Sequence, residues 1–156
     1  MKILGIDPGS GIVGFGLVLK SGKPQMLDAG VIRTTIGDDP AQRLVELYES
    51  LKELISELKP DVAAVEKLFF AQNVTTAMAV SQARGVILLA LAEQGLPIYE
   101  YTPLQIKMAM TGYGRATKAQ MQEMVRVQLQ LKKKPSPDDA ADALAVALTH
   151  LSTMRV

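Results

Sequence analysis

The chain of 156 residues contains no cysteine and one histidine, His150. Disulfide cross-links are therefore excluded, and a zinc site is disfavoured because such sites in proteins draw mainly on cysteine and histidine ligands. A chain of this length buries about 68 to 70% of its unfolded surface, so it can fold without such cross-links. His150 lies far along the last helical segment, and we expect it to pack or to face solvent.

The sequence also lacks an uninterrupted apolar run of roughly 18 residues, the length that would span a bilayer. The apolar segment at Met1–Ile6 is far too short for a secretory leader. No internal repeat or low-complexity tract divides the chain. We therefore expect a cytoplasmic protein without a membrane partner, made of a single domain over residues 1–156.

The order of strand and helix patterns predicts the fold class. Three strands come first, and amphipathic or alanine-rich helices then alternate with two short strands. The predicted strands are 2–7, 12–19, 25–34, 61–66 and 98–101, and the predicted helices are 39–58, 73–94, 103–112, 117–132 and a last helix capped by Ser136. This order predicts an α/β protein with a ribonuclease H-like (integrase-type) fold, in which helices flank a mixed five-stranded sheet.

The helix predicted over 73–94 has apolar residues on nearly every side. A helix of this kind requires packing partners on two faces. One partner is the sheet, and we expect the other to be a second subunit, because a small domain has few layers.

Four carboxylates occupy the positions that carry the functional prediction. Asp7 and Glu66 end apolar strands, and Asp139 and Asp142 lie at the start of the last helix. Clustered carboxylates repel one another unless cations are bound, and oxygen ligands select hard ions such as Mg²⁺ or Mn²⁺. Two such ions can activate water for attack on a phosphodiester. The residues thus indicate metal-dependent phosphate cleavage.

Each acid also has a structural explanation. Asp7 could open a hairpin turn, and Glu66 could pair with Lys67 at the strand end. Asp138 and Asp139 could complement the dipole of the last helix. Asp142 fits this explanation poorly, because an acid among packed alanines is costly without a charge to meet. Helical spacing alone does not decide between Asp138 and Asp139 as its neighbour.

A basic segment follows the last predicted strand. Residues 103–134 contain seven lysines and arginines and one acid, Glu123. Such a segment next to an acidic cluster favours a polyanionic substrate, although a solvated helical face is the common alternative.

Four motifs in order resemble the RuvC family of bacterial Holliday-junction resolvases, over residues from Met1 to about Leu151. The motifs are Gly5-Ile6-Asp7-Pro8-Gly9, Glu66 with Phe69 beyond it, Gln82-Ala83-Arg84-Gly85, and Asp139-Ala140-Ala141-Asp142-Ala143-Leu144-Ala145. The resemblance implies that Asp7, Glu66, Asp139 and Asp142 are the catalytic, metal-binding acids, and it leaves Asp138 outside the match.

The resemblance further implies a homodimeric endonuclease that depends on two Mg²⁺ ions per site, with Mn²⁺ as a substitute. Such an enzyme makes symmetric nicks in opposing strands of four-way junction DNA during homologous recombination and DNA repair, and leaves 5′-phosphate ends. By the same resemblance, Lys107 and Lys118 contact DNA near the scissile phosphate, and Phe69 stacks at the opened crossover. The branch-migration proteins RuvA and RuvB are the implied partners.

Three other functions compete with this prediction. A junction-binding scaffold would use the acids for a structural ion only, and a general ribonuclease H would cut RNA–DNA hybrids. The segment Asp7-Pro8-Gly9-Ser10-Gly11 also looks like a phosphate loop of actin-like ATPases. Those ATPases need a second domain, for which this chain has no room.

Overall fold

A computed structural model of the protein describes residues 1–67 and 73–154. Its strands and helices appear in the predicted order. The strands are β1 (Lys2–Asp7), β2 (Ile12–Leu19), β3 (Gln25–Arg33), β4 (Val62–Glu66) and β5 (Ile98–Tyr101); the helices are α1 (Pro40–Leu58), α2 (Val74–Glu93), α3 (Pro103–Thr111), α4 (Lys118–Gln128) and α5 (Asp138–Thr153).

The five strands form one mixed sheet in the order β3-β2-β1-β4-β5. Strand β2 is antiparallel to both β1 and β3, whereas β4 pairs in parallel with β1 and β5 in parallel with β4. The strands β1, β3, β4 and β5 therefore all end at one edge of the sheet. Asp7 and Glu66 are the last residues of two neighbouring strands at this edge.

Helices cover both faces of the sheet. One core contains Leu47, Leu51 and Ile55 of α1 with Ala83 and Ile87 of α2, packed against inward-facing strand residues. The other core joins the opposite face to α3, α4 and α5. The α/β class and the ribonuclease H-like arrangement predicted from the sequence are confirmed.

Glycines bring α5 unusually close to β1 and β2. A Cβ atom at Gly5 would collide with the carbonyl oxygen of Ala143, and one at Gly14 would collide with that of Asp139. The facing residues Ala140, Ala143 and Ala147 of α5 are also small and fully buried. This close packing places the first turns of α5 beside the end of β1.

Several helix ends follow the sequence prediction, and two do not. Thr102 and Thr117 each form a complete capping box, with Gln105 and Gln120 respectively. Helix α4, however, ends at Gln128 rather than at residue 132. The chain turns there because Gln130 adopts a positive φ of 55°, which a right-handed helix cannot continue.

The predicted cap at Ser136 is also wrong. Helix α5 begins at Asp138 with Pro137 at its N-cap, and no side chain caps it. Proline has no side-chain oxygen to accept the free backbone N–H groups. Asp138 and Asp139 lie in the first turn instead, where negative charge complements the helix dipole.

Helix α2 combines a buried face with an exposed apolar one. Ala77, Ala83, Ile87, Ala90 and Leu91 are buried, whereas Val74, Met78 and Leu89 are exposed. By length and composition alone α2 is long and apolar enough to cross a membrane, although the sequence contains no uninterrupted apolar run of that length. Its buried residues belong to the core that α2 shares with α1 and the sheet.

Candidate active site

Three of the four predicted carboxylates meet in space. Asp7, Asp139 and Asp142 each offer an oxygen, and these oxygens all lie within 4.8 Å of one another. Asp7 comes from the end of β1, and the other two come from successive turns of α5, where a spacing of three residues places them on one face. The close approach at Gly5 and Gly14 brings that face to the strand end.

Glu66 joins this group through Asp7. The two carboxyl groups lie close enough to interact: the proximity of Glu66 helps to raise the pKa of Asp7, whereas the proximity of Asp7 only partly offsets the burial that raises the pKa of Glu66. The charge of Asp142 also acts on Glu66. The term "carboxylate cluster" below means Asp7, Glu66, Asp139 and Asp142.

Burial makes the negative charge of the cluster costly. Burial, followed by the nearby Glu66, Asp142 and Asp139, raises the pKa of Asp7 to about 9. Burial is likewise the first cause of the raised pKa values of Glu66 and Asp142. Cations bound between the carboxylates would relieve both the burial penalty and the repulsion. The donors are all oxygens, which fits hard divalent cations and does not fit a zinc site.

Two lysines stand on one side of the cluster. Lys118, at the first position of α4, forms an ion pair with Asp142 at 3.3 Å between Nζ and Oδ2. The carboxylate among the packed alanines of α5 therefore has a positively charged partner. Lys107, on α3, is half-buried and lines a cavity of about 290 Å³ together with Glu66, Lys118 and Asp142. Lys107 and Lys118 therefore lie beside the acids.

The structure distinguishes Asp138 from its neighbour. Asp138 is outside the group of converging oxygens and accepts a hydrogen bond of 3.0 Å from Nε2 of Gln122 on α4. Asp139 points to Asp7 and Asp142 instead. Helical spacing alone did not decide whether Asp138 or Asp139 is the acidic neighbour of Asp142, and the structure shows that it is Asp139.

The alternative explanation for Glu66 finds no support in its contacts. Within the described parts of the chain, the ion pairs join Arg84 to Glu100, Lys118 to Asp142 and Arg126 to Glu123. Glu66 and Lys67 are both described and do not form such a pair.

Arg84 has a structural role that sequence reasoning did not assign. This residue of α2 forms an ion pair of 2.6 Å with Glu100 on β5, and its Nε donates to the backbone oxygen of Glu66 at 3.4 Å. Arg84 thereby ties α2 to the strand end that carries Glu66. Its motif, Gln82-Ala83-Arg84-Gly85, was visible in the sequence, but its contacts depend on the pairing of β4 with β5.

Two further predictions concern residues away from the acids. His150 is buried, with 4% of its surface exposed, and its Nδ1 lies 2.7 Å from the hydroxyl of Tyr101. It is therefore a packing residue, one of the two roles expected for it. Phe69, predicted to contact DNA, lies outside the described residues.

Comparison with known proteins identifies a family over almost the whole chain. The family model described as crossover junction endodeoxyribonuclease RuvC matches residues 3–150. A protein of that name from Moorella thermoacetica is 56% identical over 153 residues, which cover 97% of this chain and 92% of the relative. Another from Chloroflexus aurantiacus is 53% identical over 154 residues, covering 98% and 94% respectively.

Solved structures of RuvC proteins are also similar to this chain. RuvC of Thermus thermophilus superposes with a TM-score of 0.90 at 37% identity, covering 97% of this chain and 94% of that one. The T. thermophilus RuvC structure in complex with Holliday junction substrate gives a TM-score of 0.91 at 38% identity, with 97% and 93% coverage. The yeast mitochondrial resolvase Ydc2, at 14% identity and a TM-score of 0.67, shares the fold.

Proposed function

The chain belongs to the RuvC family of crossover junction endodeoxyribonucleases, and we propose that its carboxylate cluster is the catalytic centre. Resolution of Holliday junctions by endonuclease action is the activity of the family and of this chain. The observation that supports the proposed centre is the meeting of Asp7, Asp139 and Asp142 within 4.8 Å, with Glu66 close enough to Asp7 to raise its pKa.

In this proposal Asp7, Glu66, Asp139 and Asp142 hold divalent cations. Two ions, when bound, supply activation of the attacking water and stabilisation of the departing oxygen. The carboxylates would position the ions at the sheet edge, and Asp7, whose pKa is raised to about 9, would release its proton when they bind. We assign Mg²⁺ as the ion used, with Mn²⁺ as a substitute, because both favour oxygen ligands.

Lys107 and Lys118 are proposed to contact the phosphates next to the cut. They flank Glu66 and Asp142 at the cavity described above, so a DNA strand that reaches the acids passes within reach of both ammonium groups. We also propose, from the family resemblance alone, that Phe69 stacks on a base at the opened crossover.

We propose that residues 1–156 form a single nuclease domain that works as a homodimer. A two-fold dimer suits a junction that has its own approximate two-fold symmetry. Support comes from α2, whose exposed Val74, Met78 and Leu89 leave an apolar face open to a second copy. Cytoplasmic location and cooperation with RuvA and RuvB complete the proposal, on the family resemblance.

Nuclease assays with conservative substitutions test the catalytic centre. Asp7→Asn, Glu66→Gln, Asp139→Asn and Asp142→Asn should abolish cleavage of a labelled four-way junction in Mg²⁺. The folded variants should bind the junction at least as tightly as wild type, because substitution of Glu66, Asp139 or Asp142 removes negative charge facing phosphate and Asp7→Asn replaces a carboxyl group that is already protonated without a cation. Asp138→Asn is the matched control and should retain cleavage, since Asp138 bonds to Gln122 rather than joining the cluster.

The same assay separates the competing functions. A scaffold whose acids bind a structural ion predicts unfolding of the four variants and no cleavage by wild type. Cleavage of an RNA–DNA hybrid in preference to the junction would indicate a general ribonuclease H instead. Linear duplex with and without Mg²⁺ completes the set of substrates.

A further inference from the structure

A second group of basic side chains lies at the same edge of the sheet as the carboxylate cluster. Arg33 is the last residue of β3, which ends at this edge together with β1 and β4. Arg43 lies near the start of α1. A groove of about 670 Å³ runs from these arginines to Asp139, with Ser10 and Gly11 in its wall. We call this feature the arginine groove.

The guanidinium group of Arg43 is fixed in place. Its Nε donates a hydrogen bond of 3.0 Å to Oγ1 of Thr34, and the backbone N–H of Thr34 donates to the carbonyl of Gly11 at 3.1 Å. A Cβ atom at Gly11 would lie 2.6 Å from Nη2, so the absence of a side chain there gives the guanidinium its room. A cation held in this way loses little conformational freedom when it binds an anion.

The positive charge of the arginine groove is not neutralised by an ion pair. Neither Arg33 nor Arg43 lies within 4.0 Å of a carboxylate oxygen in the described parts of the chain, where the ion pairs join other residues. Of the acids nearest in sequence, Asp38 and Asp39 are exposed in the turn before α1. Glu46 is engaged with the backbone N–H and hydroxyl of Thr35.

Basic residues therefore flank the carboxylate cluster on two sides. Lys107 and Lys118 stand towards β5, and the arginine groove lies towards β3, with the cluster at the ends of β1 and β4 between them. A polyanionic strand laid across the acids meets cations before and after them. Guanidinium groups favour phosphate oxygens because their planar N–H groups match them in pairs.

We propose that the arginine groove binds a backbone phosphate of the junction DNA, on the side of the carboxylate cluster away from Lys107 and Lys118. This inference rests on the proposed function and extends its DNA contact. Arg33 and Arg43 supply the charge, and the hydroxyl of Ser10 is a further donor at the groove wall.

The salt dependence of junction binding tests this proposal. Junction affinity is measured without divalent cation between about 50 and 200 mM salt, where each phosphate contact contributes about 0.9 to the slope of log K against log salt. Arg33→Ala and Arg43→Ala should each reduce that slope, by up to about 0.9, and weaken binding of junction and linear duplex alike. Lys23→Ala, in the exposed turn at the opposite edge of the sheet, is the matched control and should keep the wild-type slope.

The Arg43→Ala variant loses the hydrogen bond from Arg43 to Thr34 and could unfold for that reason. In that case Arg33→Ala alone tests the proposal. The Arg33 side chain makes no hydrogen bond to another described residue, so its removal takes away charge and little else. Slopes of both arginine variants equal to that of Lys23→Ala would overturn the proposal. Failure of wild-type protein to bind or cut the junction is a separate result, which counts against the proposed function.

Discussion

The proton on Asp7 is the most informative feature at the scale of single residues. With the pKa of this carboxyl raised to about 9 by burial and by its acidic neighbours, Asp7 is protonated at neutral pH in the absence of a cation. Lys118 neutralises part of the remaining charge through Asp142. Divalent cations held by the carboxylate cluster would therefore displace the proton of Asp7 and compete with Lys118 for Asp142, which would couple their binding to pH.

This coupling predicts how stability depends on pH. The pKa of Asp7 is 3.8 in an unfolded chain and about 9 in the folded protein, so between these values the folded state holds one proton more. The free energy of unfolding of the metal-free protein should therefore fall as pH rises from about 5 towards 9, by up to about 1.4 kcal/mol per pH unit from this group. Urea unfolding at a series of pH values measures the slope.

Two comparisons control this prediction. Asp7→Asn should flatten the pH dependence, because the amide cannot titrate, whereas Asp38→Asn in the exposed turn before α1 should leave it as in wild type. Adding a divalent cation at pH 8 should stabilise wild type more than Asp7→Asn. Equal slopes for wild type and Asp7→Asn would mean that the folded protein does not retain this proton.

At the scale of secondary structure, the sequence predicted the type and order of every helix and strand in the described regions. Hydrophobic periodicity and capping residues are local signals, and the side chains of Thr102 and Thr117 do cap α3 and α4. The errors lie at the end of α4 and the start of α5, where the backbone at Gln130 and Pro137 was not evident from side-chain patterns.

The part of the site that depends on local sequence signals was predictable. Asp7 and Glu66 follow apolar strands, so their placement at one edge follows from local pattern and topology. The choice of Asp139 over Asp138, the pair of Lys118 with Asp142, and the role of Arg84 all depend on contacts between distant segments. Such contacts are set by how α4 and α5 pack on the sheet, which periodicity does not specify.

The packing of α5 on β2 gives a prediction at this scale. Gly14→Ala places a methyl group against the backbone of Asp139 and must push α5 away from the sheet. We expect a loss of about 1 to 3 kcal/mol in the free energy of unfolding, the usual cost of overpacking. We also expect slower junction cleavage, because Asp139 and Asp142 move relative to Asp7. Thermal melting and single-turnover cleavage measure the two effects.

Gly22→Ala is the matched control for this substitution. Gly22 lies in the turn between β2 and β3, and an added Cβ there meets nothing within 4 Å. This variant should melt and cut like wild type. Retention of full cleavage by Gly14→Ala would show that the carboxylate cluster tolerates displacement of α5.

At the scale of the whole molecule, the outer face of α2 determines the proposed assembly. Val74 is 69% exposed, Met78 61% and Leu89 53%, and the spacing of these residues places them with exposed Gly85 along one side of the helix. A second copy that covers this side would bury apolar surface that the described chain leaves in water.

Charge placed on this face should therefore separate the subunits. Leu89→Asp is expected to convert a dimer into a monomer, since an unpaired carboxylate in an apolar interface loses hydration without compensation. Val127→Asp, at a 50% exposed apolar position on α4, is the control and should remain dimeric. Sedimentation equilibrium measures the mass of each variant. If Leu89→Asp is monomeric, it should lose paired cutting of opposing strands, because each subunit carries one carboxylate cluster. If Leu89→Asp remains a dimer, the outer face of α2 is excluded as the subunit interface.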